Sequence, residues 1–367
     1  MTAGSGAAQV RTTGDGVEVA WFAGLCDDDY EFLGVPDPRL ASSWEHCRDI
    51  TLAAERAGFD NILLPSGYAL GVDATTFAAG IAPLTSRIQL LLALRMGEVW
   101  PPQLARQIAS LDRMCGGRLR LNVISSDLPG QSLEGALRYR RSGEYTQVLR
   151  ALLDGRGVEQ RGEFLDLKLE PPRVTPYAGR CPPLYFGGFS EAAKQTAALQ
   201  ADVFLTWPDT VDSVARTVRE MRERAQRAGR ELRYGLRSHV IVRESEGQAR
   251  RAASRLLSRL DDAEGERIRG RSLDTASAGV RRQDWLREHS DAEGFAEPGL
   301  WTGIGRARSG AGAALVGDPE QLLEKLQAYR EVGIDAFILS GYPHLEECER
   351  VARLLLPRIE HAPLPRP

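Results

Sequence analysis

Arg237 and His239 are the residues in this sequence whose types and spacing are best suited to chemistry. They lie two apart in "GLRSHVIVRE" (235–244), a Val- and Ile-rich run that predicts a buried strand. Side chains two apart on a strand leave the same face, and burying an unpaired cation is costly. No acidic residue occupies an obvious facing strand position, so we predict a bound anion as counter-charge, with His239 as donor, acid or base. A structural arginine paired with a core aspartate is the alternative.

Other polar residues follow predicted strands at the points where these end. Tyr342 and His344 lie in "LSGYPHLEE" (339–347), where a simple helix cap is the alternative, and Trp207 is either a ring-stacking wall or core. The acidic run "CDDDYE" (26–31) is either solvated loop or a rim whose carboxylates bind a hydroxyl-rich substrate. That rim includes Cys26, Asp28 and Asp29.

The segment "YFGGFSEAAK" (185–194) places two glycines between a strand and a helix that starts near Ser190. Free amides at a helix start, next to bare glycine backbone, can cradle a phosphate. An ordinary turn with a serine N-cap is the alternative. Tyr139 and Ser126 are candidate companions at such a phosphate.

The elements that must position these residues alternate between strand and helix. Eight strands are predicted, at 17–25, 60–67, 88–95, 116–126, 182–188, 201–207, 235–244 and 335–342. Most are apolar on both faces, as parallel strands covered on both sides are. Eight strand–helix units predict a (β/α)8 barrel, whose active site lies at the carboxyl ends of the strands. A doubly wound sheet is the rival, but no GxGxxG follows the first strand.

One domain accounts for residues 16–357. Residues 1–15 are predicted to be disordered, and residues 358–367 form a C-terminal tail. The long polar stretch 262–315, between the seventh and eighth units, is predicted to be an inserted lid. Its "RARSGAGAA" segment carries Arg308, which suits a flap that closes on an anion.

Composition excludes several classes of protein. The 367 residues carry a net charge of −3, which does not suggest a nucleic-acid or membrane-surface partner. No apolar run reaches membrane-spanning length, and the start lacks the apolar region of a signal peptide. The five cysteines are dispersed, which argues against a disulfide framework or a zinc site. A cytoplasmic protein without a metal is therefore expected.

Taken together, these segments resemble the bacterial luciferase-like flavin monooxygenases, in the alkanesulfonate monooxygenase branch. The resemblance covers about 17–357, and its carriers are "FDNILLPSG", "RQIASLDRMCGGRLRLNVIS", "PPLYFGGFSE", "ADVFLTWPD", "RSHVIVRE", "RSGAGAALVGD" and "DAFILSGYPHLEE". It implies an enzyme that uses reduced FMN from a separate NAD(P)H-dependent flavin reductase, with O2 as co-substrate. The resemblance further implies that the C–S bond of a sulfonate is cleaved to give an aldehyde and sulfite. The family is usually homo-oligomeric, which implies a dimer or tetramer.

The resemblance also assigns roles to residues. The catalytic positions are Arg237, His239, Tyr342 and His344, and Trp207 and Arg308 join them around the substrate. The flavin phosphate would lie at Gly188, Phe189 and Ser190 with Tyr139, and Asn122 would reach the isoalloxazine edge. Ser66, Arg95 and Ser126 complete the predicted cofactor-binding set because they follow predicted strands, and not because of the resemblance.

The sequence departs from the branch in two loops on the substrate side. Alkanesulfonate enzymes have a His after the first strand, where this chain has Cys26 and three Asp. They also have a Cys after the second strand, and "SGYALGVD" (66–73) has none. An acidic rim favours a polyhydroxylated sulfonate such as the sulfosugar sulfoquinovose, which would give 6-dehydroglucose. A linear alkanesulfonate and a deazaflavin-dependent oxidoreduction on the same fold are the alternatives.

Overall fold

Parallel strands close into a barrel in the computed structural model, which describes residues 16–69, 71–271 and 277–365. Within these ranges eight strands form the barrel, in the order β9-β13-β1-β2-β3-β4-β7-β8 and back to β9. The strands of the chain are β1 (Glu18–Phe22), β2 (Asn61–Leu64), β3 (Gln89–Arg95), β4 (Leu119–Ile124), β5 (Val158–Arg161), β6 (Asp166–Leu169), β7 (Leu184–Gly187), β8 (Val203–Thr206), β9 (Arg233–Val242), β10 (Phe295–Glu297), β11 (Leu300–Trp301), β12 (Ala314–Gly317) and β13 (Ala336–Ser340). The predicted (β/α)8 barrel is confirmed. The prediction for residues 1–15 lies outside the described residues.

Helices follow the barrel strands and cover the outside of the barrel. They are α1 (Trp44–Ala57), α2 (Ala74–Ile81), α3 (Pro101–Met114), α4 (Gly135–Leu153), α5 (Glu191–Gln200), α6 (Val211–Arg227), α7 (Glu246–Leu257), α8 (Asp262–Gly270), α9 (Ala278–Glu288), α10 (Pro319–Glu331) and α11 (His344–Leu354). Short 3-10 turns occupy Pro38–Leu40, Ala82–Leu84, Gly303–Arg306 and Leu356–Arg358. Local signals set several ends: Ser43 caps the start of α1, and Gly58 ends it with a left-handed φ of 99°. No helix in the described ranges is long and apolar enough to cross a bilayer.

The insertion after α7 is folded. It contributes α8, α9 and the antiparallel pair β10–β11, and β11 pairs with β12. The β9 strand holds this layer because it is long: its first residues pair with β8, and residues 239–242 pair with β12. The carboxyl half of β9, which carries His239, therefore lies between the barrel and the lid.

The C-terminal segment closes the end of the barrel at which the strands begin. Leu364 is buried inside that end, against the inward-facing side chains of β1, β2, β3, β7 and β8. The Leu364 amide donates to Glu18 Oε2 at 3.0 Å, and the Ala362 amide donates to the Val17 carbonyl at 3.0 Å. In barrels of this kind the active site lies at the other end, where the carboxyl ends of the strands meet.

Candidate active site

Arg237 lies buried at the carboxyl end of the barrel without a carboxylate partner in the described part of the chain. Its Nη1 donates to the Ser238 carbonyl at 2.6 Å and its Nη2 to Ser340 Oγ at 2.8 Å. The guanidinium also lies over the Phe22 ring, 4.5 Å from its centroid. Burial, together with the nearby Arg308, lowers the pKa of Arg237 to about 9, so the side chain is still a cation at neutral pH. The alternative of a core aspartate partner is not what the geometry shows.

Arg308, from the lid, does have an internal counter-charge. Its Nη1 donates to Asp28 Oδ2 and, at 2.7 Å, to Tyr342 Oη. Burial alone would lower the pKa of Arg308, but Tyr342 and Asp28 outweigh it and the pKa lies above its usual value. The same contact keeps the pKa of Asp28 below its usual value despite burial. Asp28 Oδ1 is buried and has no hydrogen-bond partner among the described residues, so it remains available as an acceptor.

His239 lies on the other side of Ser340. Its Nδ1 is 2.8 Å from Ser340 Oγ, and its buried Nε2 has no partner in the described structure. The ring centroid is 5.1 Å from that of Tyr342. Burial, followed by the charges of Arg237 and Arg308, holds the pKa of His239 well below its usual value. His239 is therefore neutral at physiological pH.

His344 and Asp29 differ in what they offer a ligand. His344 is fully buried at the start of α11, 5.1 Å between ring centroids from Tyr342, and neither ring nitrogen has a partner in the described ranges. Asp29 Oδ1 accepts from the amides of Tyr30 and His344, both at 2.9 Å, and Oδ2 is 2.8 Å from His46 Nε2. Because both oxygens of Asp29 are already bonded within the protein, the geometry gives it a structural role in place of the predicted substrate contact.

A cavity of about 260 Å³ opens beside Arg308 and Tyr342, and Arg237, His239 and His344 lie behind these two residues and do not line it. It is lined by Cys26, Asp28, Tyr30, Ser66, Arg95, Arg308 and Tyr342, with Ile268 and Arg271 from the lid. Burial and the neighbouring Asp28 raise the pKa of Cys26 to about 12, so its thiol is a neutral wall rather than a nucleophile. We call this space the substrate cavity.

A second cavity of about 230 Å³ adjoins the first, since Ile124 lines both. Its lining includes Asn122, Ser125, Tyr139, Gly188, Phe189 and Trp207. Gly188 has a φ of 151°, and a Cβ there would lie 2.6 Å from the Ala193 Cβ and 3.1 Å from Tyr139 Oη. The bare backbone next to the start of α5 therefore forms a cradle of the kind that holds a phosphate. Ser125 Oγ is buried in this wall without a partner in the described chain.

These features fit a cofactor that bears a phosphate, which Gly188 and the start of α5 would hold. Ser126 and Trp207 are placed differently from what the sequence suggested, and Ser190 forms the N-cap that was kept as the alternative. Ser190 Oγ caps α5 by accepting from the Ala193 amide. Ser126 is fully buried and bonded to Arg95 Nε. Trp207 lines this second cavity and not the substrate cavity.

No group of three or more His, Cys, Asp or Glu in the described ranges could hold a metal ion.

The lid closes over the second cavity. Gly279, near the start of α9, lies so close to Trp207 and Phe189 that a Cβ there would be 2.6 Å and 2.9 Å from their rings. Arg306, the other arginine of the "RARSGAGAA" segment, faces outward and pairs with Asp262 at 2.6 Å. Only Arg308 of this pair of arginines therefore reaches the site.

Comparison with known proteins places the chain in a family. A family model described as luciferase-like monooxygenase matches residues 32–336. The chain belongs to the luciferase-like monooxygenase family. This luciferase-like monooxygenase is 57% identical to a protein of Novosphingobium aromaticivorans named sulfoquinovose monooxygenase, over 95% of this chain and 98% of the relative. It is 50% identical to a protein of the same name from Agrobacterium fabrum, over 96% of this chain and 92% of the relative.

Solved structures support the fold of this luciferase-like monooxygenase. DmoA from Hyphomicrobium sulfonivorans superposes with a TM-score of 0.77 at 18% identity, covering 96% of this chain and 91% of that one. The riboflavin lyase RcaE, solved with modified FMN and riboflavin, gives 0.76 at 15% identity over 96% and 94%. At these identities the likeness is one of fold.

Several residues of the luciferase-like monooxygenase site were not predicted from the sequence. Ser340 joins Arg237 to His239, Phe22 lies under both arginines, and Tyr30 packs edge-on against Tyr342 at 5.6 Å. Ser340 ends a strand of the barrel, and that position was the signal that could have found it. Arg271 gave no such signal, because its place depends on the fold of the lid.

Proposed function

We propose that this chain is a two-component, reduced-FMN-dependent monooxygenase that cleaves the C–S bond of a hydroxylated organosulfonate, with sulfoquinovose as the substrate. Sulfite and an aldehyde, 6-dehydroglucose, are the products. The two relatives named sulfoquinovose monooxygenase support the substrate class. A linear alkanesulfonate is the second candidate, because its sulfonate presents the same anion.

The observation that carries the proposal is the uncompensated charge of Arg237. This buried cation forms no ion pair in the described chain, whereas the neighbouring Arg308 is paired with Asp28. A strong-acid headgroup such as a sulfonate stays anionic at any physiological pH and supplies the missing counter-charge. A neutral substrate offers Arg237 no such partner.

The chain's own groups divide the work of binding. The guanidinium of Arg237 holds the sulfonate, and Arg308 and Tyr342 Oη orient it from the lid side. Asp28 lines the substrate cavity, and its Oδ1, which is buried without a partner in the described chain, accepts a hydrogen bond from a sugar hydroxyl. The lid excludes water from the reacting atoms, which prevents side reactions of activated oxygen.

Reduced FMN held in the second cavity would supply activated dioxygen for attack on the carbon that bears the sulfonate. Overall, one oxygen atom becomes the aldehyde oxygen, the other leaves as water, and the sulfur departs as sulfite while the flavin is oxidised. Supply of the reduced flavin by a separate NAD(P)H-dependent reductase, a dimeric or tetrameric assembly and a cytoplasmic location are further predictions from the family.

The test is sulfite release with reduced FMN and O2, comparing sulfoquinovose with a linear alkanesulfonate of the same charge, for wild type and Asp28→Asn. We expect sulfite from both, with a higher kcat/KM for sulfoquinovose. Asp28→Asn removes the charged acceptor, which is worth roughly 1.5–3 kcal/mol, so the preference for sulfoquinovose should fall about 10- to 100-fold. Loss of the Asp28–Arg308 ion pair should change the absolute rates on both substrates alike. The ratio of the two kcat/KM values reports only the contact with the sugar hydroxyl.

Two results would decide against parts of the proposal. An equal loss on both substrates would remove the sugar argument and favour a general sulfonate enzyme. No sulfite from any sulfonate, with turnover of an alcohol and a deazaflavin, would favour the hydride-transfer alternative.

A further inference from the structure

Ser340 connects the two residues from which the sequence argument began. It is fully buried at the end of β13, where it is paired in register with His239 of β9. Arg237 Nη2 lies 2.8 Å from Ser340 Oγ, which in turn lies 2.8 Å from His239 Nδ1. These two are the only hydrogen bonds that its hydroxyl makes to described residues. Three buried side chains thus form an ordered row.

The donors and acceptors in this row determine where each of its protons lies. A guanidinium can only donate, so Ser340 Oγ accepts from Arg237. If His239 carried its proton on Nδ1, that proton would also point at Ser340 Oγ, and the buried hydroxyl proton would have no acceptor in the described chain. If the hydroxyl instead donates to Nδ1, every group in the row is satisfied. A neutral imidazole then carries its proton on Nε2.

The state of the ring is consistent with that count. Burial and the two nearby arginines hold the pKa of His239 well below its usual value, so the ring has a single N–H to place. Its Nε2 is buried with no partner in the described ranges, beside Tyr342, Arg237 and Arg308. An N–H at this atom attracts an anion, whereas a lone pair there would repel it.

We propose that Ser340 is a positioning residue. Because its hydroxyl accepts from Arg237 and therefore donates to His239 Nδ1, it fixes the His239 tautomer that donates from Nε2 to the bound anion. The inference deepens the proposed function, on which it depends only for the identity of that anion. Its core statement, the position of one proton, concerns the ligand-free protein.

The experiment is nitrogen NMR of protein with isotope-labelled histidine rings. The chain has five histidines, and the difference spectrum against His239→Gln assigns the relevant ring. We expect a protonated Nε2 and an unprotonated Nδ1 at His239 in wild type. Ser340→Ala should move the ring toward the Nδ1-protonated form, and Ser340→Thr, which keeps the hydroxyl, should restore the wild-type pattern.

Ser238→Ala is the matched control. Ser238 is an equally buried serine next to the same histidine, but its hydroxyl donates to the His239 carbonyl at 2.9 Å and not to the ring. It should leave the tautomer unchanged. In sulfite assays Ser340→Ala should raise KM for the sulfonate roughly tenfold, about the worth of one hydrogen bond to a charged group, with recovery in Ser340→Thr.

The spectrum of the wild type decides even if Ser340→Ala does not fold. A proton on Nδ1, a doubly protonated ring, or an Ala variant with an unchanged tautomer would overturn the proposal. Failure of the proposed function would instead appear as an absence of sulfite, with the tautomer as expected.

Discussion

At the scale of single residues, the site combines one guanidinium that has an internal counter-charge with one that does not. Arg308 shares Asp28 and Tyr342, while Arg237 donates only to neutral oxygens in the described chain. A buried cation without a carboxylate destabilises the free protein. A bound anion removes this destabilisation and so favours the complex. Arg237 is therefore the residue whose loss should affect binding most.

Arg237→Ala should lower kcat/KM for sulfonate by a factor that corresponds to about 2–5 kcal/mol, the usual cost of removing one partner of a desolvated charge pair. Arg237→Lys should recover only part of this, because an ammonium lacks the planar fork. Arg306→Ala is the control: its partner Asp262 is exposed, so this pair contributes about 0–1 kcal/mol. Near-normal kinetics in Arg237→Ala would exclude the anion-binding role.

At the scale of elements, the lid depends on the close approach of α9 to the barrel. Gly279 permits this contact with Trp207 and Phe189, and β12 joins the lid to β9 through paired backbone at residues 239–242. A side chain at position 279 would therefore separate α9 from the wall of the second cavity.

Gly279→Ala should weaken FMN binding and lower the sulfite formed per O2 consumed, since water then reaches the reacting atoms. Flavin titration and oxygen consumption measure the two effects. Gly270→Ala is the matched control, because it lies at the end of α8 in the same lid and a Cβ there meets nothing within 4 Å. Both changes raise helix propensity, so a loss confined to position 279 reports the contact.

A second element-scale contact ties α1 and α11 to the loop after β1. The hydrogen bond that His46 donates to Asp29 raises the pKa of His46, whose usual value is 6.5, while Asp29 also accepts from the first amide of α11. Because the folded pKa lies above the unfolded one, the stabilisation is fully present below pH 6.5 and is lost as pH rises through the raised value.

His46→Gln should therefore lower Tm most below pH 6.5, and its curve should approach that of wild type at higher pH. Thermal unfolding across a pH series measures this. His289→Gln serves as control, since that exposed histidine contacts Trp285 and forms no ion pair in the described ranges. A constant Tm difference at every pH would contradict the coupling to Asp29.

At the scale of the whole molecule, the two ends of the barrel have separate functions. The carboxyl ends of the strands hold both cavities, and the other end is closed by the segment around Leu364. Stability and activity should therefore respond to different sets of substitutions, as is usual for this architecture.

Leu364→Ala should destabilise the protein by about 2–5 kcal/mol, because it empties space inside the barrel. Urea unfolding measures this, and kcat for folded enzyme should stay unchanged. Leu199→Ala removes the same atoms from a leucine that is 46% exposed and should have little effect. A large loss of activity in folded Leu364→Ala would show that the two ends are coupled.

The barrel could be predicted from the sequence because its signals are local. Runs such as "FDNILLPSG" and "ADVFLTW" are apolar on both faces, and the structure places β2 and β8 within them. Once the barrel is predicted, its closure brings the carboxyl ends of the strands together. Four residues were predicted to be neighbours on that ground: Arg237, His239, Tyr342 and His344.

What only the tertiary structure decided are the partners of polar groups. Asp28 and Asp29 are adjacent residues of the same type in the acidic run after β1. Asp28 nevertheless faces the substrate cavity, while Asp29 binds His46 and the start of α11. The partners of Ser340 and the place of Arg271 in the site became visible only when β13 and the lid were in place. Which carboxylate faces the cavity and which hydroxyl joins Arg237 to His239 depend on contacts across hundreds of residues, and no local pattern encodes them.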